Sequence, residues 1–266
     1  MSINIFRFVM YLHKVRFLFY LLVHTAFFSA AAEQIYIRTS YQDNNIYKYN
    51  TENSQSPGIC IEIMQAVKKI DPDIDFIPTT EPMPLLRIKA NMKIGDLGVF
   101  CGLIKNAEQE ADFTYFNTVL YTLRYKVAVA IDDPIKIDSF NDIRNASAEN
   151  NVVVTAQGSG YDNFVAKQGI MSIDAGAKDY AANFQKILIG RARFFYQSEV
   201  GLRYSIESLK LQNKVKILPT PLHSEEVFFV ASKKMPKKSF EKLSKALENI
   251  DQQGGLERIR IKYKLD

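Results

Sequence analysis

A glycine-rich turn in the middle of the chain has the residue types that bind an anion. Gly158, Ser159 and Gly160 follow the apolar run VVVT and precede a segment with helical character. If a strand ends and a helix begins there, backbone N–H groups and the Ser159 hydroxyl point at one position, which suits a carboxylate. Tyr161 would lie beside that position. A plain tight turn explains the same triplet, so both interpretations stay open.

Two basic side chains could add positive charge to such a site. Arg87 lies in the segment EPMPLLRIKANM, where its planar guanidinium could hold a carboxylate through two hydrogen bonds. The same residue could instead lie on a helix surface and pair with Glu81 or Asp96. Lys105 is the second candidate. From the residues alone, either Arg87 or Lys105 could be the positive partner of an anionic ligand.

Catalysis that depends on histidine or on a metal is disfavoured. Two of the three histidines lie within the first 32 residues, so His223 is the candidate in the rest of the chain. One histidine builds no Ser-His-Asp or Cys-His arrangement and no His-rich metal site. No P-loop, GxGxxG or Cys-x-x-Cys motif occurs, so no cofactor is expected. A mechanism with carboxylates alone, using Glu108, Glu110 or Glu199, stays open.

The elements that would position these residues alternate between strands and helices. Strand-like runs occupy residues 34–39, 74–78, 97–100, 125–131, 152–155 and 227–231. Helical patterns begin at residue 59 and cover 84–92, 183–189 and 201–209. This order predicts an α/β protein with parallel sheets covered by helices. Two βα modules joined by crossings near residues 125–131 and 225–231 predict two lobes with a cleft between them.

The stretch over residues 95–121, GDLGVFCGLIKNAEQEADFTYFNTVLY, resembles the signature of type 2 periplasmic solute-binding proteins. In that family a Gly-Met-Thr-like corner precedes a Pro-Glu-Arg turn and an Asp-Phe-(Ser/Thr)-x-Pro-Tyr segment. The matching slots here are GLI at 102–104, AEQ at 107–109 and DFTY at 112–115. The closing segment GGLERIRIKY is also similar to that family. The resemblance implies two doubly wound parallel-sheet lobes joined by two hinge crossings, the type II periplasmic-binding-protein architecture.

The chain departs from the amino-acid-binding members of this family in both halves. Ile104 and Gln109 replace the Thr and the Arg that contact the ligand's charged ends in those relatives. In the second half, Arg193 replaces an acid, and Gln197 and Ser198 occupy the region of a second acid that holds the ligand's ammonium. An α-amino acid bound in the usual way is therefore not the default ligand.

Strand ends and the resemblance together select candidate ligand-binding residues. Ligands of open parallel sheets bind beyond the carboxyl ends of the strands. The candidates are Tyr41, Arg87, Gly102, Leu103, Lys105, Gln109, Tyr121, Ser159, Gly160, Tyr161, Tyr196 and Gln197. Each aromatic residue taken singly is more often part of a core than of a recognition site.

Residues 1–32 have the order positive, apolar, small that marks a secretory signal peptide. An apolar run over residues 17–28 is followed by Ser-Ala-Ala-Ala, and cleavage after Ala32 would place the protein in the periplasm. An uncleaved anchor is the alternative, but the run is shorter than the roughly 20 apolar residues that a span needs. Cleavage removes three of 34 basic and none of 29 acidic residues, which lowers the formal charge from +5 to +2. No nucleic-acid partner is expected.

The two cysteines, Cys60 and Cys101, would then lie in a compartment that permits disulfides. One begins a helical pattern and the other ends a predicted strand. Both ends can face the same edge of a doubly wound sheet, so a bridge is predicted. It would contribute on the order of 4 kcal/mol by closing the loop between them. Two buried free thiols are the alternative.

The resemblance implies a function in binding rather than in catalysis. The expected protein is a monomeric periplasmic receptor whose lobes, 33–127 plus 226–266 and 128–225, close over a small polar solute. The solute would be amino-acid-like or another small acid or amine, delivered to an ABC-type permease or to a membrane sensor. A periplasmic enzyme on the same scaffold, such as a dehydratase acting on a small acid, is the alternative hypothesis.

Overall fold

A computed structural model describes residues 33–43, 45–146, 150–177 and 179–265, with the backbone alone described at residue 108. The predicted signal peptide at residues 1–32 lies outside the described residues. Within the described ranges, no helix has the length and apolar character that crossing a bilayer requires.

Strands and helices alternate along most of the chain, and strands at residues 173–177, 194–198 and 215–217 come in addition to the six that the sequence predicts. The strands are β1 (Ile35–Thr39), β2 (Ile74–Pro78), β3 (Val99–Ile104), β4 (Phe113–Ala130), β5 (Val153–Ala156), β6 (Ile173–Ala177), β7 (Phe194–Ser198), β8 (Val215–Ile217) and β9 (His223–Ser232). The helices are α1 (Ile59–Ile70), α2 (Leu85–Ile94), α3 (Ala107–Asp112), α4 (Phe140–Asn145), α5 (Tyr161–Lys167), α6 (Tyr180–Leu188), α7 (Glu199–Ser208), α8 (Lys237–Gln252) and α9 (Gly255–Tyr263).

Parallel strands form in both halves of the fold. β1 pairs in parallel with β2, and β5 pairs in parallel with both β6 and β7. β3 lies beside β1, because the Gly98 N–H donates to the Arg38 carbonyl at 2.8 Å and the Thr39 hydroxyl donates to the Val99 carbonyl at 3.0 Å. The loops that follow β1 and β3 therefore meet at one edge, where ligands of open sheets bind.

β4 and β9 connect the two groups of parallel strands. The two strands pair with each other in antiparallel register, β9 also pairs with β3, and β4 continues to pair with β7 and β8. The crossings predicted near residues 125–131 and 225–231 lie in these two strands. The predicted fold class, an α/β protein whose two lobes are joined by two crossing strands, is confirmed.

β4 begins at Phe113, earlier than the strand that the sequence places from residue 125. Polar residues interrupt the apolar pattern in this part, so the pattern alone gives a later start. The pairing of β4 with β9 shifts register on both sides of Val119, as at a β-bulge. Arg260 of α9 donates to the carbonyl groups of Val119 and Leu120 at 2.8 and 2.9 Å. The C-terminal helix thus supplies hydrogen bonds where the crossing strand is irregular.

Cys60 and Cys101 form the predicted disulfide, with their Cα atoms 5.7 Å apart. The bridge joins the first turn of α1 to β3, and both residues are fully buried. β3 continues to Ile104 and does not end at Cys101 as the sequence suggests. The bridge therefore braces the middle of β3, just before the residues that lead to the sheet edge.

The start of α1 holds the loop that follows β1. The N–H groups of Ile59 and Cys60 donate to the carbonyls of Tyr47 and Lys48 at 2.9 and 3.2 Å. Gly58 has φ +99°, and a Cβ there would lie 2.3 Å from the Lys48 carbonyl oxygen, so the close approach requires glycine. These contacts fix residues 47–48 relative to the helix.

Candidate functional site

The loop after β1 folds over the end of β3 through its aromatic residues. The rings of Tyr41 and Tyr49 stack with centroids 5.3 Å apart. The Tyr49 hydroxyl donates to the Cys101 carbonyl at 2.7 Å and lies in the buried interior. The loop is polar in sequence, yet its tyrosines form the wall of a packed site.

Lys48 lies between Tyr47 and Tyr49 in the chain and is buried. Its relative exposure is 6%, and no other charged residue in the described part of the chain is buried to this extent. Its Nζ atom donates to the Gly102 carbonyl at 2.7 Å. Burial first, and then the nearby charge of Lys89, lowers the pKa of Lys48 to about 7. The cause is desolvation, which disfavours the charged form of an amine.

Gly102 allows this contact because it has no side chain. It has φ +97° and lies where the register between β3 and β9 shifts, between Cys101 and Leu103. A Cβ at this position would lie 3.1 Å from three atoms of the Lys48 side chain. The glycine that marked the predicted corner is therefore the residue that receives the buried lysine.

Tyr47 extends from the same loop to the second half of the fold. The side chains of Asn45 and Ser198 oppose the effect of burial on the pKa of its hydroxyl, and Ser198 ends β7. Burial first, then neighbouring tyrosines including Tyr161, raises the pKa of Tyr47 well above its ordinary value. Tyr47 thus connects the loop of the predicted first lobe with β7 of the predicted second lobe.

Further tyrosines of the crossing strand and the second half contact one another. The hydroxyls of Tyr125 and Tyr161 lie 2.8 Å apart and share a hydrogen bond. Tyr196 stacks on Tyr125 with centroids 5.8 Å apart and meets Tyr161 edge-on at 6.1 Å. We call the set of six the phenol cluster. Its members are Tyr47, Tyr49, Tyr121, Tyr125, Tyr161 and Tyr196.

Two hydroxyls of the phenol cluster lack a hydrogen-bond partner among the described residues. They belong to Tyr121 and Tyr196, which are 1% and 0% exposed. Burial raises the pKa of Tyr121 well above its ordinary value, with smaller contributions from Tyr47, Tyr49 and Tyr161. A buried hydroxyl without a partner loses on the order of 1–3 kcal/mol, so a ligand that bonded with one would gain from it.

One carboxylate, that of Glu225 on β9, faces part of the phenol cluster. Its Oε1 atom lies 3.4 Å from Nε2 of His223, and its buried Oε2 atom has no partner among the described residues. Burial first, and then the negative charge of Glu225, raises the pKa of Tyr196. The site therefore has a cation at Gly102 and an anion near Tyr196.

The glycine-rich turn contributes to the candidate site mainly through Tyr161, the residue that follows it. The Ser159 hydroxyl donates to the Ala156 carbonyl at 2.7 Å and accepts from the Tyr161 N–H at 3.3 Å. Gly158, Ser159 and Gly160 are exposed, whereas Tyr161 joins the phenol cluster. These bonds are those of a tight turn, so the hydroxyl is already engaged in this structure.

The basic candidates lie at the surface. Arg87 on α2 is exposed and forms no ion pair with any described residue. Lys105 is exposed and pairs with Glu110 at 3.1 Å. Gln109 is buried, with its Oε1 atom 3.4 Å from the Tyr115 hydroxyl. None of the three contacts the phenol cluster in the described structure, and their role in ligand binding stays a prediction.

The departures in the second half form internal contacts. Arg193 donates two hydrogen bonds to Asp133, at 2.8 and 3.0 Å. These bonds lower the pKa of Asp133, more than burial raises it. Gln197 is 2% exposed and its Oε1 atom accepts from the Ser198 N–H at 2.8 Å. Arg193 thus belongs to a local ion pair.

Two of the carboxylates that could catalyse a reaction without histidine form ion pairs. Glu199 pairs with Lys126 and Arg124 at 3.0 and 3.2 Å, and Glu110 pairs with Lys105. The side chain of Glu108 lies outside the described part of the structure. The described residues hold no group of three or more His, Cys, Asp or Glu with metal-binding geometry.

A cavity of about 340 Å³ opens beside the phenol cluster. Tyr47 belongs to both, and the other walls are formed by α6 and α7 with the loop at Asn45 and Ile46. Tyr180 and Tyr204 are the further aromatic residues of this lining. The cavity therefore provides open space on the side of Tyr47 that faces the second half of the fold.

Comparison with solved structures identifies the class of fold. The chain is similar to the probable amino-acid ABC transporter extracellular-binding protein ytmK from Bacillus subtilis, with 16% identity, 88% of this chain and 99% of that chain covered, and a TM-score of 0.72. It is similar to a histidine kinase sensor domain with similarity to periplasmic binding proteins, at 14% identity, 86% and 95% coverage and a TM-score of 0.67.

A third similar structure is an ancestral amino acid-binding protein that is a precursor of cyclohexadienyl dehydratase. The identity is 19%, the coverage is 86% of this chain and 95% of that chain, and the TM-score is 0.64. No protein-family model matches the chain, and no curated protein matches its sequence. At these identities the comparisons establish the type 2 periplasmic-binding-protein fold, and the ligand is argued from the site itself.

Sequence reasoning missed Tyr47, Lys48, Tyr49, Tyr125 and Glu225. The first three form a Tyr-Lys-Tyr triplet inside a polar loop, where no periodicity separates buried from exposed positions. An aromatic residue on each side of a lysine was the available signal. Tyr125 and Glu225 lie on the crossing strands, where strand composition suggested core packing alone.

Proposed function

We propose that this chain is a periplasmic solute-binding protein. Two lobes, residues 33–127 plus 226–266 and residues 128–225, close over a small polar solute and present it to an ABC-type transporter or to a sensor. Secretion follows from the signal peptide at residues 1–32, with cleavage after Ala32. The protein acts as a monomer and uses no cofactor.

The observation that carries this proposal is the phenol cluster. Tyr47 and Tyr49 come from the first lobe, Tyr161 and Tyr196 from the second, and Tyr121 from the crossing strand β4. A site of buried aromatic residues with unpartnered hydroxyls suits a small ligand with polar groups. Because the cluster includes both lobes, ligand contacts would stabilise the closed form relative to an open form.

Binding without chemical change is the expected activity. The described carboxylates that could act as an acid and a base, Glu110 and Glu199, have lysine or arginine partners. The similarity to a precursor of a dehydratase keeps an enzyme acting on a small acid as the second hypothesis. The two differ in a simple way, since a binding protein releases its ligand unchanged.

A thermal-unfolding screen of the protein expressed from its full sequence tests the proposal. Amino acids, amines, small carboxylic acids and sugars are the probes, and each stabilising compound is recovered and identified by mass spectrometry. A true ligand stabilises by about 2.7 kcal/mol at a hundredfold excess over its Kd. Conversion of the compound supports the enzyme instead.

Matched hydroxyl deletions locate the site. Tyr121→Phe and Tyr196→Phe should weaken the stabilisation by ligand, whereas Tyr36→Phe removes the hydroxyl of a tyrosine that is 67% exposed and should change nothing. Equal ligand responses in all three variants would place the site elsewhere.

A further inference from the structure

Lys48 is a buried cation without a counter-charge in the described structure. An ammonium group has three N–H donors. Among the described residues, the Lys48 ammonium donates one hydrogen bond, to the Gly102 carbonyl. Other basic groups with low exposure have carboxylate partners: Lys186 pairs with Asp174 at 2.8 Å and Arg193 with Asp133. Lys48 differs from them in lacking a carboxylate among the described residues.

The surroundings of Lys48 are aromatic. Its Nζ atom lies 5.8 Å from the centre of the Tyr47 ring, and Tyr47 and Tyr49, its two neighbours in the chain, are buried with it. A carboxylate accepts a charge-assisted hydrogen bond from an ammonium whose other N–H groups have no acceptor among the described residues.

We propose that Lys48 selects the ligand, and that the ligand carries a carboxylate bound by the Lys48 ammonium. The proposal rests on the solute-binding function above and narrows its ligand from a small acid or amine to a carboxylic acid. It assigns the positive charge to a residue of the loop after β1 rather than to Arg87 or Lys105.

The energetics favour a ligand role over a packing role for the ammonium. Taking an unpaired charge out of water is costly, and the low pKa of Lys48 reflects that cost. A carboxylate at hydrogen-bond distance offsets it and restores the charged form. If packing were the role, a neutral side chain of similar length would serve the fold equally well.

Matched probes that differ in one functional group test the proposal. Benzoate, benzamide and benzylamine form one set, and propionate, propionamide and propylamine form a second, smaller set. Glutamate, glutamine and arginine form a third, in which all members carry a carboxylate. Calorimetry and thermal unfolding of the wild-type protein measure Kd for each. The proposal expects that every binder carries a carboxylate and that, within the first two sets, the amide or amine counterpart binds at least tenfold more weakly.

Two variants complete the experiment. Lys48→Met keeps the length of the side chain and should weaken carboxylate binding by roughly ten- to hundredfold, the range for a hydrogen bond to a charged group. Lys186→Met removes another lysine of low exposure and should leave that binding unchanged. If Lys48→Met fails to fold, the comparison of matched probes on the wild-type protein still decides.

Each outcome separates the two proposals. Preferred binding of an amine or an amide from the benzoate or propionate set overturns the carboxylate assignment and leaves the solute-binding function intact. Carboxylate binding that survives in Lys48→Met also overturns the role of Lys48. The absence of any saturable binder, in these sets and in the wider screen, counts against the solute-binding function and the carboxylate assignment together.

Discussion

Two basic groups of low exposure, Arg193 and Lys48, lie in opposite electrostatic settings. The Arg193 side chain is 17% exposed and forms a two-bond ion pair with Asp133. Lys48 is 6% exposed and donates to one backbone carbonyl, that of Gly102. The first arrangement lowers the pKa of Asp133 and keeps both groups charged. The second lowers the pKa of Lys48 and leaves a charge that an added anion could neutralise.

The difference separates scaffold from site. A closed ion pair satisfies its own groups and needs no ligand, so Arg193 and Asp133 hold the turn after β4 against β7. An unpaired buried cation is stabilised by an anion that binds to it. Arg193 attracts attention in the sequence because it replaces an acid, yet the structure gives it a structural partner. Lys48 does not stand out in the sequence, but its environment in the structure favours a ligand.

Removal of the disulfide should have the largest effect on stability. The double variant Cys60→Ala, Cys101→Ala loses the brace between α1 and β3 beneath Lys48, with an expected decrease of about 4 kcal/mol in the free energy of unfolding. Urea denaturation measures it, and reduction of the wild-type protein should give a similar decrease. An unchanged midpoint would show that the Lys48 region does not depend on the bridge.

Neutralising the two basic groups should have opposite results. Arg193→Met leaves Asp133 without its partner and should lower the free energy of unfolding by about 2 kcal/mol. Lys48→Met removes an unpaired buried charge and should leave the free energy unchanged or raise it. Urea denaturation at pH 7.5 compares them. A greater loss in Lys48→Met than in Arg193→Met would contradict the distinction drawn here.

Gly102→Ala should destabilise the protein more than an alanine substitution in the glycine-rich turn. Gly102 and Gly158 both have positive φ, but a Cβ at Gly102 meets Lys48 at 3.1 Å and one at Gly158 meets nothing within 4 Å. Gly158→Ala should cost about 1 kcal/mol from backbone strain, and Gly102→Ala about 2 kcal/mol. Weaker carboxylate binding in Gly102→Ala alone would link Lys48 to the ligand, and equal effects would separate them.

The stability of the wild-type protein should rise with pH above neutrality because of Lys48. Its pKa of about 7 in the folded state lies below its ordinary value of 10.5, so between these values the unfolded chain binds a proton that the folded chain has released. Stability should increase by about 1 kcal/mol between pH 7 and pH 8. Lys48→Met should lack this increase. A saturating carboxylate should also reduce it, because the bound anion keeps the lysine protonated.

The fold could be predicted from local patterns in the sequence. Apolar runs of strand length alternate with helical spacing, and this order is enough for an α/β protein with two crossings. The pairing of Cys60 with Cys101 was also predicted, although Cys101 lies within β3 and not at its end, where the prediction placed it. The start of β4 was placed too late, since polar residues near its register shifts interrupt the pattern on which the prediction relied.

The composition of the site was decided by the tertiary structure. Strand-end reasoning selected Tyr121, Tyr161 and Tyr196, which the fold brings into one cluster, together with Arg87 and Lys105, which it leaves at the surface. Local patterns determine helices and strands because neighbours in the chain share one element. Whether a lysine finds a counter-charge depends on distant groups, and the partner of Lys48 lies 54 residues away at Gly102. The burial of the Lys48 charge therefore depends on how the loop after β1 packs against β3, which the local sequence does not determine.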